Sequence, residues 1–161
     1  MVQRLPISKS GHKVLKEELG RLQKTDRMQN IKDIERARDH GDLKENAEYH
    51  AAKERQGFIE GRIMELKDKL GRAEIIDCTK VNCEIVVFGT VVTVSDLDTD
   101  EEFVYTLLGP EESDIKKGRI SVVSPLGSSM LGKIVGDEFQ VRTPGGVRQF
   151  EVIDIVPSSV A

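Results

Sequence analysis

The chain has 161 residues, with 24 Lys and Arg against 28 Asp and Glu for a net charge of −4; charged residues make up 32% and aromatic residues 4%, with no Trp. That balance disfavours an aromatic-filled core throughout and suits long solvated helices. No apolar run of about 18 residues or more is present, which excludes a membrane-spanning helix. The two cysteines, Cys78 and Cys83, are too few and too close for a disulfide framework. No charged start followed by an apolar stretch marks a secretory signal, so the expected location is cytoplasmic, with both thiols reduced.

The two halves differ. Residues 1–77 carry 17 Lys or Arg against 15 Asp or Glu, and residues 78–161 carry 7 against 13; four of the five prolines fall in the second half. The sequence therefore reads as two domains, 1–77 and 78–161, with a boundary near Asp77. From about Ser8 to Asp39, with Ser8 or Ser10 as N-cap, Leu15, Leu19, Leu22, Met28, Ile31 and Ile34 recur near helical spacing and predict one long helix. The Thr25-Asp26-Arg27 stretch breaks this register and leaves open whether the helix bends or bulges there. From Glu45 to about Ile75 the seam is stricter, with Ala52, Ile59, Leu66 and Ala73 at heptad spacing and Tyr49, Ile63 and Leu70 in the complementary register, interrupted by Gln56. Each helix, of roughly 30 residues, would be on the order of 45 Å long. His40 to Lys44 supplies the turn that makes the pair antiparallel, with a narrow polar tip near residues 39–46.

In the second half, Ile85–Val94 and Phe103–Leu108 read as strands around the acidic Asp96–Glu102 stretch. Phe139–Arg142 and Val147–Val156 read as a hairpin around Thr143-Pro144-Gly145-Gly146. Pro125–Lys133 predicts a short helix over one sheet face, capped by Ser124 or Ser128. The fold class is thus α+β, an antiparallel α-helical coiled-coil hairpin followed by a small, mostly antiparallel sheet.

The tip carries Asp42 and Glu45, flanked by Arg38, Asp39, His40 and Lys44. The Asp42-x-x-Glu45 spacing is that of a capping box, in which both side chains serve the start of the second helix. The same two carboxylates are also hard oxygen ligands for Mg²⁺, which keeps several waters and is often held by one or two carboxylates plus substrate phosphates. Such a tip cannot close a metal site alone but can complete one that another macromolecule half-builds.

The run Arg38-Asp39-His40-Gly41-Asp42-Leu43-Lys44-Glu45-Asn46-Ala47-Glu48-Tyr49-His50-Ala51-Ala52 resembles the tip segment of the GreA family of bacterial transcript cleavage factors. Supporting likeness follows in Gln56-Gly57-Phe58, Glu60-Gly61-Arg62-Ile63, Val87-Phe88-Gly89, Leu97–Glu102, Ser124-Pro125 and Thr143–Gly146, so it covers essentially the whole chain. The resemblance implies a sheet domain like that of FK506-binding proteins. It implies that the coiled coil enters the secondary channel of RNA polymerase while the globular domain holds the channel rim, in the region of Ser124 and Pro125. It further implies that Asp42 and Glu45 help the polymerase bind its second Mg²⁺ and position the attacking water, so the free protein holds no cofactor and is not itself an enzyme. Arg38 and Lys53 match the family's small basic patch for the phosphates of the extruded RNA 3′ end, although they also read as ordinary solvated charge. A patch this restricted is similar to the GreA rather than the more basic GreB branch, implying short cleavage products. The expected state is a monomer with no membrane association.

A Gre-like protein that plugs the channel without stimulating cleavage is the competing reading, and the retained Gly41-Asp42-Leu43-Lys44-Glu45-Asn46 pattern argues against it. A generic coiled-coil adaptor would leave the tip a mere helix cap, worth about 1 kcal/mol. Cys78 and Cys83 with His12, His40 and His50 lack the paired spacing of a zinc site. The acidic Asp96–Glu102 stretch reads as a solvated loop or as a contact with a basic surface on the polymerase.

Overall fold

The computed structural model describes residues 3–42 and 46–159, divided into two compact units. One unit is Lys13–Arg72; the other joins Met1–His12 to Ala73–Ala161.

Within the Lys13–Arg72 unit, α1 (Lys9–Arg21) runs through a π-helical turn (Leu22–Asp26) into α2 (Arg27–Arg38), and α3 (Ala47–Arg72) returns antiparallel against them. Buried Leu15 and Leu22 precede the π turn and buried Asn30, Ile34 and Ala37 follow it. Along the first strand of the hairpin, Leu15, Leu22, Asn30 and Ala37 thus face the seam at steps of seven, eight and seven residues. A π turn accommodates one extra residue, which explains the broken register at Thr25-Asp26-Arg27. It also corrects the predicted seam. Met28 (51% exposed) and Ile31 (38% exposed) stand outside it, and the buried polar Asn30 takes the inward position. On α3 the inward residues are Ala52, Ile59, Ile63 and Leu66, while Tyr49 is half-buried. Two bidentate ion pairs brace the helices, Arg27 with Glu60 (2.8 Å from both Nε and Nη2) and Arg62 with Glu18 (2.8 and 3.0 Å). Each guanidinium lowers the pKa of its carboxylate partner through these hydrogen bonds.

In the other unit, β1 (Leu5–Ser8) pairs in parallel with β2 (Ala73–Ile76). The expected end of the second helix at about Ile75 is therefore too far along the chain, and Ala73 is a strand residue rather than a seam position. The division of the chain also differs from a single cut at Asp77, because this pairing gathers the first twelve residues with 73–161. Ser8 does cap α1, its Oγ accepting from Gly11 N at 3.1 Å; it also donates to Glu112 Oε1.

The main sheet is ordered β5-β4-β3-β7-β6, with β3 (Thr90–Asp96), β4 (Glu102–Leu108), β5 (Arg119–Ser121), β6 (Glu138–Thr143) and β7 (Gly146–Pro157). All neighbours are antiparallel except β4 and β5. Alternate residues of β3 are buried, Val92 and Val94 among them, and join Leu107, Ile120, Phe139, Val141, Phe150, Val152 and Met130 of α4 (Pro125–Met130) in one core. The strand expected over Ile85–Val94 begins only at Thr90. Before it, Val86 exchanges backbone hydrogen bonds with Gly132 and Lys133, and Gly89 turns with φ +89° against Cys78, where a Cβ would lie 3.0 Å from the sulfur. The Thr143–Gly146 hairpin turn and the α4 cap at Ser124 match the sequence-based expectation, although α4 stops at Met130.

Candidate functional site

The hairpin turns between α2 and α3, and Arg38, Asp42 and Lys53 all carry exposed side chains there. Glu45 lies outside the described residues. At the end of α2 the chain tightens into a turn, His40 N donating to Ala37 O at 3.2 Å, and Gly41 adopts φ +117°. Only a residue without Cβ takes that φ without strain. Asp42, the next residue, lines a shallow concavity with His40, Asn46, Ala47 and Glu48.

The capping-box reading of α3 rests on Glu45 and so lies outside the described residues. The helix begins at Ala47, and its cap is Asn46, whose Oδ1 accepts from Tyr49 N at 3.1 Å. The capping bond therefore sits one residue beyond Glu45. The amide of the same side chain donates from Nδ2 to Ala37 O at 2.6 Å, joining the end of α2 to the start of α3. The Asp42-x-x-Glu45 spacing does not point to Asn46. The usable signal was an Asn directly before the helix-forming Ala47-Glu48, since Asn ranks with Asp and Ser among the strongest caps.

The two basic residues are each steadied by a neighbour. The Arg38 guanidinium lies over the Tyr49 ring, 5.9 Å from its centroid, and Lys53 Nζ donates to Gln56 Oε1 at 2.8 Å. Tyr49 and Lys53 are four residues apart on α3 and so share a face. The ring thus brings the α2 cation to the face of α3 that carries the second one.

In the sheet unit, Ser124 Oγ accepts from Gly127 N (3.1 Å) and donates to Ser121 O (2.6 Å), with Pro125 at the first helical position. A Cβ on Gly127 would fall 2.0 Å from Ser121 O, so this corner requires glycine. Val123 beside it is 71% exposed. In the acidic stretch, Asp96 is only 2% exposed; it accepts from Asp98 N (2.9 Å) and Thr99 N (3.3 Å) and pairs with Arg148 Nε (3.0 Å). The Arg148 bond is the chief cause of its lowered pKa. Asp96 therefore organises the β3–β4 turn, while Asp98, Asp100, Glu101 and Glu102 are exposed.

The turn of the helical hairpin thus carries exposed carboxylates and cations together. A family model described as the N-terminal region of a transcription elongation factor matches residues 5–75, and one described as the GreA/GreB C-terminal region matches residues 81–157. The chain belongs to the GreA/GreB family of transcription elongation factors. It is 66% identical over 155 residues to the transcription elongation factor GreA of Desulfotalea psychrophila, covering 96% of each chain. It is 52% identical to the GreA of Magnetococcus marinus, covering 96% of this chain and 99% of that one. Among solved structures, the GreA factor homolog 1 protein of Thermus thermophilus aligns with a TM-score of 0.44 at 29% identity, covering 95% of this chain and 99% of that one.

Proposed function

We propose that this protein binds bacterial RNA polymerase, enters its secondary channel with the hairpin tip, and stimulates cleavage of backtracked RNA by lending Asp42 and Glu45 to the polymerase's active site. The observation that carries the reading is the exposure of Asp42 at the turn between α2 and α3, on the same end of the hairpin as the exposed Arg38 and Lys53.

The donor set fits Mg²⁺, a hard cation that takes one or two carboxylates and completes its octahedron with water and phosphate oxygens. Asp42 and Glu45 would help hold the polymerase's second Mg²⁺, and the two ions together would supply water activation and stabilisation of the leaving oxygen in an in-line displacement. The protein itself contributes the carboxylates of Asp42 and Glu45, while Arg38 and Lys53 attract the phosphates of the extruded RNA 3′ end. Hydrolysis belongs to the polymerase, which makes this chain a stimulator rather than an enzyme. The corner at Val123, Ser124 and Pro125 is the surface assigned to the rim of the channel.

The test is gel-resolved cleavage in a stalled, backtracked elongation complex with wild-type protein, the Asp42→Asn, Glu45→Gln double variant, or no factor. Faster cleavage with wild type alone, at equal polymerase binding, is expected. Equal cleavage in all three would leave a channel binder without catalytic assistance.

A further inference from the structure

β6 (Glu138–Thr143) ends the sheet order β5-β4-β3-β7-β6, so among the described residues only its β7 side is paired. The phase of that pairing fixes which backbone groups face outward. Val152 N donates to Asp137 O at 2.9 Å, and Thr143 faces Gly146 across the two-residue turn. Bonded residues alternate along an antiparallel ladder. Phe139, Val141 and Thr143 therefore turn their N–H and C=O groups to β7, while Glu138, Gln140 and Arg142 turn theirs away from it. The same three residues have exposed side chains, whereas Phe139 and Val141 are buried with Met130 of α4 on the core face.

We infer that this edge pairs with β6 of a second copy of the chain, antiparallel and centred on Gln140. A two-fold axis there sets Glu138 of each strand opposite Arg142 of the other, and Gln140 opposite itself. All three are outward-facing, so each pair exchanges two backbone bonds, about six in all. The charges are self-complementary, and opposite charges directly across a ladder attract. Within one copy Glu138 stands opposite Glu151 of β7, a like-charge pair on one sheet face. Arg142 of the second copy would arrive beside Glu138 and offset that repulsion. Other registers lose these matches: a shift of one residue sets outward groups against inward ones, and a shift of two separates Glu138 from Arg142. No proline interrupts the edge from Glu138 to Thr143.

The test is sedimentation equilibrium of the full chain and does not depend on the cleavage reading. Wild type should form a reversible dimer with a dissociation constant on the order of 0.1 mM, as suits a small interface. Glu138→Arg and Arg142→Glu each set like charges at both ends of the paired strands and should weaken the dimer about tenfold. The double variant reverses both charges and should restore wild-type association, with far-UV circular dichroism unchanged throughout. Raising NaCl from about 0.05 to 0.5 M should weaken the wild-type dimer, a reading that needs no variant. A wild-type chain that stays monomeric up to about 1 mM, the state expected from sequence, overturns the inference. So does a dimer indifferent to salt, one that both single variants form as tightly as wild type, or one that the double variant fails to restore.

Discussion

The side-chain amide of Asn30 donates to the carbonyl of Ala52 across the hairpin at 2.9 Å, from a residue that is 2% exposed. A buried polar side chain at an inward position costs stability but fixes which residues of two helices face one another. Asn30→Asp keeps the shape and replaces the donor by an acceptor carboxylate against a carbonyl. It should cost about 2–3 kcal/mol in denaturant unfolding at neutral pH. Burial raises the folded-state pKa of the new carboxyl, and its protonated form donates again. The lost stability should therefore return as pH falls through that raised value and disappear as pH rises through it. A pH-independent deficit would count against the bond.

The π turn predicts tolerance of a deletion. Removing the exposed Thr25 would restore seven-residue steps through Leu15, Leu22, Asn30 and Ala37 and let α1 continue into α2 as one α-helix. The thermal midpoint of the deletion variant should equal or exceed that of the wild type. A large drop would mean that the extra residue is required by the hairpin rather than accommodated by it.

Arg38 over Tyr49 gives a contrast between two substitutions. Tyr49→Phe keeps a ring face and should leave RNA cleavage unchanged. Tyr49→Leu removes the π surface, worth about 0.5–1 kcal/mol at an exposed site. Through Arg38, this should raise the factor concentration needed for half-maximal cleavage about two- to fivefold. Equal behaviour of the two variants would detach Arg38 from Tyr49.

Asp96 governs the acid limb of the sheet unit. Its pKa is lowered first by the Arg148 bond and next by the Asp98 N–H. A depressed folded-state pKa contributes stability that is present above the unfolded carboxylate value and is lost as pH falls through the folded one. Asp96→Asn should lower stability at neutral pH and flatten its dependence on pH below the ordinary carboxylate range, measured by urea unfolding across that range. An unaltered acid slope would assign it to other carboxylates.

Much of the architecture was legible along the chain. The heptads of α3, the turn glycines at Gly145 and Gly146 and the Ser124-Pro125 helix start are all local patterns, and the structure has the corresponding elements. The β1–β2 pair was not legible, because a four-residue strand such as Leu5–Ser8 has no period long enough to distinguish it from a helix start. β5, three residues long and parallel to β4, escaped for the same reason.

By itself the sequence determined a helical hairpin with an acidic and basic tip and a β-rich second half, because periodicity, turn residues and charge placement act over a few residues. Tertiary structure decided which residues meet. It turned Asn30 inward through an extra residue at the π turn, gathered the first twelve residues with the sheet unit, and made Asn46 both the cap of α3 and the tie to Ala37. Those outcomes depend on donors and acceptors from separate elements arriving within hydrogen-bond distance, which spacing along one chain does not encode.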